Sequence, residues 1–129
     1  MTVLFVNMSV DLVTGGGTAA RTISVAQSMR DDFKKECTVL ATDQGLSERF
    51  LSDNHDPSLI LLHSIVNRYY IPYFSFKKLS KLVKRSEIIH LMSHWTIINV
   101  VIYFMARFYH KPYTFCPAGT LQTFGRSAK

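Results

Sequence analysis

Residues 3–20 read VLFVNMSVDLVTGGGTAA, and they set the expectation for the whole chain. The first four residues are all β-formers, which is typical of a parallel strand that is covered on both faces. A loop follows from Ser9 and ends in three glycines. From Thr18, the expected N-cap, apolar residues recur at spacings of three and four and predict a helix. A strand, a glycine-rich loop and a helix in this order indicate the start of a β-α-β unit.

The rest of the chain alternates between short apolar segments and helical patterns. We predict strands over residues 38–41, 59–62, 88–92 and 113–116, helices over 46–51, 76–85 and 94–109, and an irregular aromatic-rich loop over 69–76. The helix over 94–109 is apolar nearly all round, so we expect it to be buried. This alternation favours one α/β domain with a parallel, Rossmann-like sheet and flanking helices. Ligands of such sheets bind beyond the carboxyl ends of the strands.

The composition of the 129-residue chain fits a single globular domain. Hydrophobic residues make up 47% and charged residues 19%, which excludes a disordered or low-complexity chain. The formal charge of +6 favours anionic partners such as phosphates, nucleotides or acidic lipid headgroups. The two cysteines, Cys37 and Cys116, lie far apart in the sequence, and we expect them to be buried free thiols.

The sequence shows no targeting or membrane-spanning segment. No basic region precedes the first apolar run, and the longest apolar stretch, residues 95–106, is shorter than the roughly 20 residues that a spanning helix needs. We therefore expect a cytoplasmic protein that can lie peripherally at the inner face of a membrane.

The glycine-rich loop is the first candidate binding site. Free N–H groups at a helix N-terminus attract anions, and glycine lets a ligand approach the backbone closely. Gly15, Gly16, Gly17 and Thr18 are therefore candidate phosphate- or sugar-binding residues. A plain flexible turn remains an alternative.

A dinucleotide site is a third interpretation of the same loop. Gly15, Gly17 and Ala20 match the pattern G-x-G-x-x-A, and Asp43 at the end of the second strand would then bind a ribose. In dinucleotide sites, however, the first glycine follows the strand almost directly. Here residues 8–14 intervene.

Two further loops reach the same edge of the predicted sheet. The strand over 88–92 carries His90, which we expect to be a satisfied core histidine, and leads to His94 and Trp95. His94 and Trp95 are candidates for hydrogen bonding to and stacking on a sugar or a base. The last strand leads to Gly119, which completes the candidate substrate-binding set. No cluster has metal-ligand spacing, so neither a metal nor a cofactor is expected.

The predicted helix over 76–85 has a basic stripe opposite an apolar one. The stripe consists of Lys77, Lys78, Lys81, Lys84 and Arg85. It is interpreted either as the solvated face of an ordinary amphipathic helix or as a contact with an anionic membrane surface. Nucleic acid is not an expected partner, because the nearby aromatic residues match no RNA- or DNA-binding motif.

Taken together, these segments resemble a known family. The glycine loop before an alanine-containing helix, followed by CTVLATD at residues 37–43, resembles the N-terminal half of family-4 glycosyltransferases of GT-B fold. SEIIHLMSHW at residues 86–95 resembles the D-I-I-H-L-H strand end of that family. KPYTFCPAGTL at residues 111–121 resembles its P-Y-V-x-(S/T)-P-x-G-x-L segment.

The resemblance implies the acceptor-binding domain of a retaining glycosyltransferase. Such an enzyme transfers a sugar from a nucleotide-sugar donor to a glycan or lipid-linked acceptor and needs no metal. The chain would then be incomplete at its C-terminus and inactive alone, because the family's C-terminal donor domain carries most of the nucleotide-sugar site. Two positions differ from the family pattern: Met92 stands where the family has a second histidine, and Ala118 where it often has histidine or arginine. The catalytic residues therefore stay unassigned. The alternative is a non-enzymatic Rossmann-type module that binds a nucleotide or a membrane.

Overall fold

The computed structural model describes residues 2–13, 16–53, 56, 58–66, 71–92 and 96–117. Within these residues, strands and helices alternate along most of the chain. The strands are β1 (Thr2–Ser9), β2 (Glu36–Thr42), β3 (Leu59–Leu62), β4 (Ser64–Val66), β5 (Ile71–Pro72), β6 (Ile88–Met92) and β7 (Tyr113–Cys116). The helices are α1 (Gly16–Asp31), α2 (Glu48–Asp53), α3 (Phe76–Arg85) and α4 (Ile97–Phe108).

Five of the strands form one parallel sheet in the order β3-β2-β1-β6-β7. The chain starts in the middle of the sheet, moves outward through β2 to β3, and returns to the other side of β1 with β6 and β7. The direction of winding reverses between β1 and β6, which is the switch point of a doubly wound sheet. The prediction of a Rossmann-like α/β domain is confirmed.

Each face of the sheet packs against helices. The α3/α4 face joins Leu4, Val6, Leu40, Ile89 and Leu91 of the strands to Leu79, Val83, Ile98, Ile102 and Ala106 of the two helices. The opposite face, the α1 face, holds the apolar residues Val3, Phe5, Cys37, Val39, Ala41 and Met92 together with Ala26 of α1. Alternate residues of β1 therefore enter two different cores, as the continuous apolar run predicts.

A buried polar pair joins β1 to α1. Asn7 and Thr22 are both fully buried, and Asn7 Nδ2 donates a hydrogen bond to Thr22 Oγ1 at 3.2 Å. Thr22 Oγ1 in turn donates to the carbonyl oxygen of Thr18 at 2.8 Å. β1 consequently runs three residues beyond the predicted end at residue 6, because these partners satisfy its polar C-terminal half.

Several predicted boundaries are wrong in instructive ways. Helix α1 begins at Gly16, so Thr18 lies in its first turn and is not the N-cap. The predicted helix over 46–51 lies two residues later, as α2. The loop predicted over 69–76 contains β5, which pairs antiparallel with β4. A proline in a two-residue strand at a sheet edge gives little sequence signal.

The helix predicted over 94–109 is shorter and less buried than expected. Thr96 is the N-cap of α4, and its Oγ1 accepts a hydrogen bond from the backbone N–H of Asn99 at 3.4 Å. One stripe of α4 is buried in the core, whereas Phe104 and Phe108 are 64% and 76% exposed. The prediction of an all-round buried helix is therefore wrong, since the described elements cover only one side of it.

Candidate ligand-binding edge

The first turn of α1 lies directly after the loop that follows β1. Gly16 has a φ of 54°, in the left-handed region that favours glycine. A Cβ added at Gly16 or Gly17 would meet no atom within 4 Å, so the space beside this turn is open. The first N–H groups of a helix have no partner within the helix. Gly16, Gly17 and Thr18 thus present backbone donors that an anion can reach.

Hydroxyl groups hold the carboxyl ends of β1 and β2 together. The fully buried Ser9 donates from Oγ to the carbonyl oxygen of Gln44 at 2.8 Å and accepts from the N–H of Asp11 at 3.1 Å. Thr42 Oγ1 donates to the carbonyl oxygen of Met8. The bond from Ser9 to Gln44 and the bond from Thr42 to Met8 tie the end of β1 to the end of β2 and the residues after it. The loops at this edge of the sheet therefore start from fixed positions.

An aspartate–histidine pair lies at the same edge, and the sequence analysis missed it. Asp43 follows β2 and His63 follows β3, and the carboxylate oxygen Oδ2 of Asp43 lies 2.8 Å from Nδ1 of His63. The other oxygen of Asp43 accepts from the N–H of Ser64 at 2.8 Å. The side chain of His63 is 77% exposed, which leaves Nε2 accessible to a ligand. An imidazole that is oriented through one nitrogen can use the other as donor or acceptor.

A register argument could have found this pair. Thr42 pairs with Leu62 in the parallel ladder between β2 and β3, so the residues that follow each strand end lie side by side. A polar residue directly after each of two neighbouring strands is the signal. It becomes visible only once β2 and β3 are known to be neighbours.

The same contacts bear on the dinucleotide interpretation. Asp43 uses both carboxylate oxygens to hold His63 and Ser64, a role within the protein rather than toward a ribose. Six residues, 10–15, separate the end of β1 from the start of α1. A dinucleotide fingerprint needs a tight turn at this point. The geometry of this edge therefore speaks against a dinucleotide site.

Of the other predicted site residues, His94 and Trp95 follow β6 in the sequence and Gly119 follows β7. Met92 pairs with Cys116, so β6 and β7 end side by side, and β6 is the neighbour of β1. Asn99 Nδ2 donates to the carbonyl oxygen of Met92 at 2.9 Å and ties the start of α4 to the end of β6. The predicted residues Gly15, His94, Trp95 and Gly119 lie outside the described residues. The structure thus brings together Gly16, Gly17 and Thr18 and places the ends of β6 and β7 at the same edge.

His90 is a satisfied histidine, as predicted, although it is only half buried. Its ring stacks on Phe5 with centroids 5.0 Å apart and an interplanar angle of 19°. Its Nδ1 forms a hydrogen bond with Thr114 Oγ1 on the neighbouring strand β7. Burial disfavours the charged imidazolium and lowers the pKa of His90 below its ordinary value of 6.5.

The basic stripe on α3 is confirmed as an exposed surface. Leu79 and Val83 are buried on one side of the helix, and every cation of the stripe is exposed. Lys84 also extends over the ring of Tyr109, which directly follows α4, with Nζ 4.8 Å from the ring centroid.

Within the described part of the chain, no three His, Cys, Asp or Glu side chains come close enough together to hold a metal ion. None of the helices in the same part is long and apolar enough to cross a membrane. Cys37 is buried and Cys116 half-buried, and both are free thiols. Burial raises the pKa of the Cys37 thiol, with a smaller opposing effect from Arg30, so Cys37 is a poor nucleophile.

Comparison of the chain with protein-family models, with curated proteins and with solved structures finds no match. The class of the protein rests on its own architecture, which is a Rossmann-like α/β domain. Its candidate ligand-binding edge combines the open first turn of α1 with the pair formed by Asp43 and His63.

Proposed function

We propose that this chain is the acceptor-side domain of a glycosyltransferase of GT-B type that uses a nucleotide-sugar donor. One observation carries the proposal. The segments that resemble family-4 glycosyltransferases include β1, β2, β6 and β7, which are consecutive in the sheet order β2-β1-β6-β7 and point the same way. Their loops consequently start from one edge, where a parallel sheet binds its ligand.

The chemistry of glycosyl transfer fits the groups at this edge. Transfer from a nucleotide sugar requires stabilisation of a leaving diphosphate and a positioned acceptor hydroxyl. The backbone N–H groups of Gly16, Gly17 and Thr18 are suited to the first task. His63, oriented by Asp43 and exposed at its other nitrogen, is suited to hydrogen-bonding a hydroxyl of the acceptor.

This proposal defines the partners of the domain. The donor is a nucleotide sugar, the acceptor is a glycan or a lipid-linked sugar, and a separate donor-binding domain completes the cleft. No resident cofactor enters the reaction. A non-enzymatic nucleotide-binding module would use the same first turn of α1, but it would have no use for a sugar-binding group at His63.

Chemical-shift titration of the ¹⁵N-labelled chain with uridine diphosphate tests the phosphate half of the proposal. We expect shifts that cluster at Gly16, Gly17 and Thr18, with weak affinity of about 1 mM, or about 4 kcal/mol, because an acceptor-side domain forms only one wall of the cleft. Gly17→Val should abolish them, since the new side chain enters open space where the diphosphate would lie. Ala20→Val, one turn further along the exposed side of α1, is the matched control and should leave them unchanged.

Titration with a panel of disaccharides tests the acceptor half. We expect resonances of His63 and its neighbours to move, and His63→Ala to remove the response. A chain that responds to uridine diphosphate at α1 but to no sugar is a nucleotide-binding module instead. Uridine diphosphate shifts that are absent from the first turn of α1 would contradict the assignment of this turn to the donor diphosphate.

A further inference from the structure

An apolar groove of about 710 Å³ runs between α3 and α4, and its lining includes none of the residues of the candidate ligand-binding edge. Three phenylalanines line it: Phe76, Phe104 and Phe108, which are 67%, 64% and 76% exposed. Val101 and Met105 of α4 extend the apolar lining. Clustered aromatic side chains in contact with water are unfavourable and mark surfaces that bind another apolar phase.

The origin of this surface lies in the sequence of α4. The stripe formed by Ile98, Ile102 and Ala106 is enough to close the core against the sheet. Phe104 and Phe108, four residues apart, lie on another side of the helix and are not needed there. The helix therefore carries more apolar surface than its place in the fold uses.

The groove has a preformed base. Ser80 of α3 and Tyr109 at the end of α4 are hydrogen-bonded to each other through their hydroxyl groups. Lys84 lies over the ring of the same tyrosine. These contacts hold the two helices together beneath the exposed phenylalanines, so an incoming partner does not have to open the groove.

The charge around the groove is of one sign. α3 contributes Lys77, Lys78, Lys81, Lys84 and Arg85, and α4 contributes Arg107, whereas neither helix contains an aspartate or a glutamate. Lys77 lines the groove itself. Among the described residues, no ion pair involves any of these cations. Within the described part of the chain, the surface thus offers exposed aromatic side chains beside cations that form no ion pair.

We propose that the α3–α4 groove docks the protein on an anionic membrane surface. In this arrangement Phe76, Phe104 and Phe108 enter the boundary between headgroups and acyl chains, and the surrounding cations contact acidic headgroups. A second copy of this chain is a poor occupant, because a symmetric contact would bring two strongly cationic surfaces together. The inference stands whether or not the chain is a glycosyltransferase.

Cosedimentation with lipid vesicles tests the proposal on the intact chain. We expect binding to vesicles of equal parts phosphatidylglycerol and phosphatidylcholine, weaker binding to phosphatidylcholine alone, and a decrease with added salt. The double variant Phe104→Ser/Phe108→Ser should lower the partition coefficient at least about tenfold, because it removes the inserted apolar area. Phe33→Ser is the matched control, since Phe33 is 66% exposed and lies outside the groove.

Charge reversal tests the headgroup contact separately. The triple variant Lys77→Glu/Lys81→Glu/Lys84→Glu should abolish binding, with an unchanged circular-dichroism spectrum as evidence that it folds. The same number of reversals at Arg21, Lys34 and Lys35, which lie on α1 and just after it, should have little effect.

Three results would overturn the proposal. Absence of binding to the phosphatidylglycerol-containing vesicles is one, and full binding by the double phenylalanine variant is another. The third is a concentration-dependent dimer, seen by sedimentation equilibrium, that the phenylalanine variant abolishes, since this would make the groove an interface between copies.

Discussion

The two faces of the five-stranded sheet are covered in different ways. On the α3/α4 face, two helices bury large aliphatic side chains such as Leu79, Ile98 and Ile102 against the strands. On the α1 face, the buried residues of the helix are Ala19, Thr22 and Ala26, and α2 buries none of its residues. The first face obtains its stability from apolar volume, and the second depends on small residues and on polar contacts.

The polar contacts on the α1 face are visible at both ends of its helix. Near the start of α1, Asn7 bonds to Thr22 inside the core. At the far end, Arg30 bonds to Ser58 at 2.5 Å and lies 3.5 Å from a carboxylate oxygen of Asp56. Hydrogen bonds from Ser58, assisted by the nearby guanidinium, hold the pKa of Asp56 below its ordinary value. Between these contacts lies a groove of about 510 Å³.

The difference indicates why the candidate ligand-binding edge lies on the α1 side of the sheet. The open groove, the accessible first turn of α1 and the half-covered ring of His90 all belong to the α1 face or to its carboxyl edge. A site needs open space and unsatisfied groups, both of which lower stability. The stability that the densely packed α3/α4 face contributes offsets the stability lost at such a site.

The largest expected effect is on the free energy of unfolding, when one isoleucine on each face of the sheet is replaced by alanine. Ile102→Ala removes a fully buried side chain from the α3/α4 core and should lower the free energy of unfolding by about 2–5 kcal/mol. Ile23→Ala on α1 should cost only about 1 kcal/mol, because Ile23 is half-buried beside the open groove. Both changes place alanine in a helix, so helix propensity cancels in the comparison. Urea unfolding followed by circular dichroism measures both, and equal losses would show that the two faces are packed alike.

A smaller effect is expected from the polar pair on the α1 face. Thr22→Val keeps the shape of the side chain but leaves Asn7 Nδ2 buried without its acceptor. The cost should be about 1–3 kcal/mol, the penalty for an unsatisfied buried donor. Ser24→Ala, which removes an exposed hydroxyl from the same helix, should change stability by less than about 0.5 kcal/mol. Equal effects of the two substitutions in urea unfolding would mean that the pair does not stabilise the α1 face.

The sequence predicts some parts of the fold well and others not at all. The apolar runs of β1, β6 and β7 predict these three strands, and the alternating leucines and lysines of α3 predict that helix to the residue. The exposure of Phe104 and Phe108 could not be predicted, because periodicity says which residues are apolar and not what covers them. The pair formed by Asp43 and His63 depends on strand order, which local pattern does not contain.

The smallest expected effect is a pH dependence that originates at His90. Burial lowers the pKa of His90 in the folded chain, whereas the unfolded chain returns it to about 6.5. Between the folded and the unfolded pKa, the unfolded state binds more protons, so stability rises with pH in this window. The contribution is fully present above about pH 6.5 and is lost as the pH falls through the lower, folded value.

His90→Gln should flatten this part of the curve of stability against pH. Subtracting the curve of the variant from that of the original chain cancels the contributions of the other histidines. NMR titration of the ring should give a midpoint below 6.5. A midpoint at or above 6.5 would mean that the His90 ring is as exposed to water as the side chain of a free histidine. The α1 face would then be even less covered, relative to the α3/α4 face, than the structure indicates.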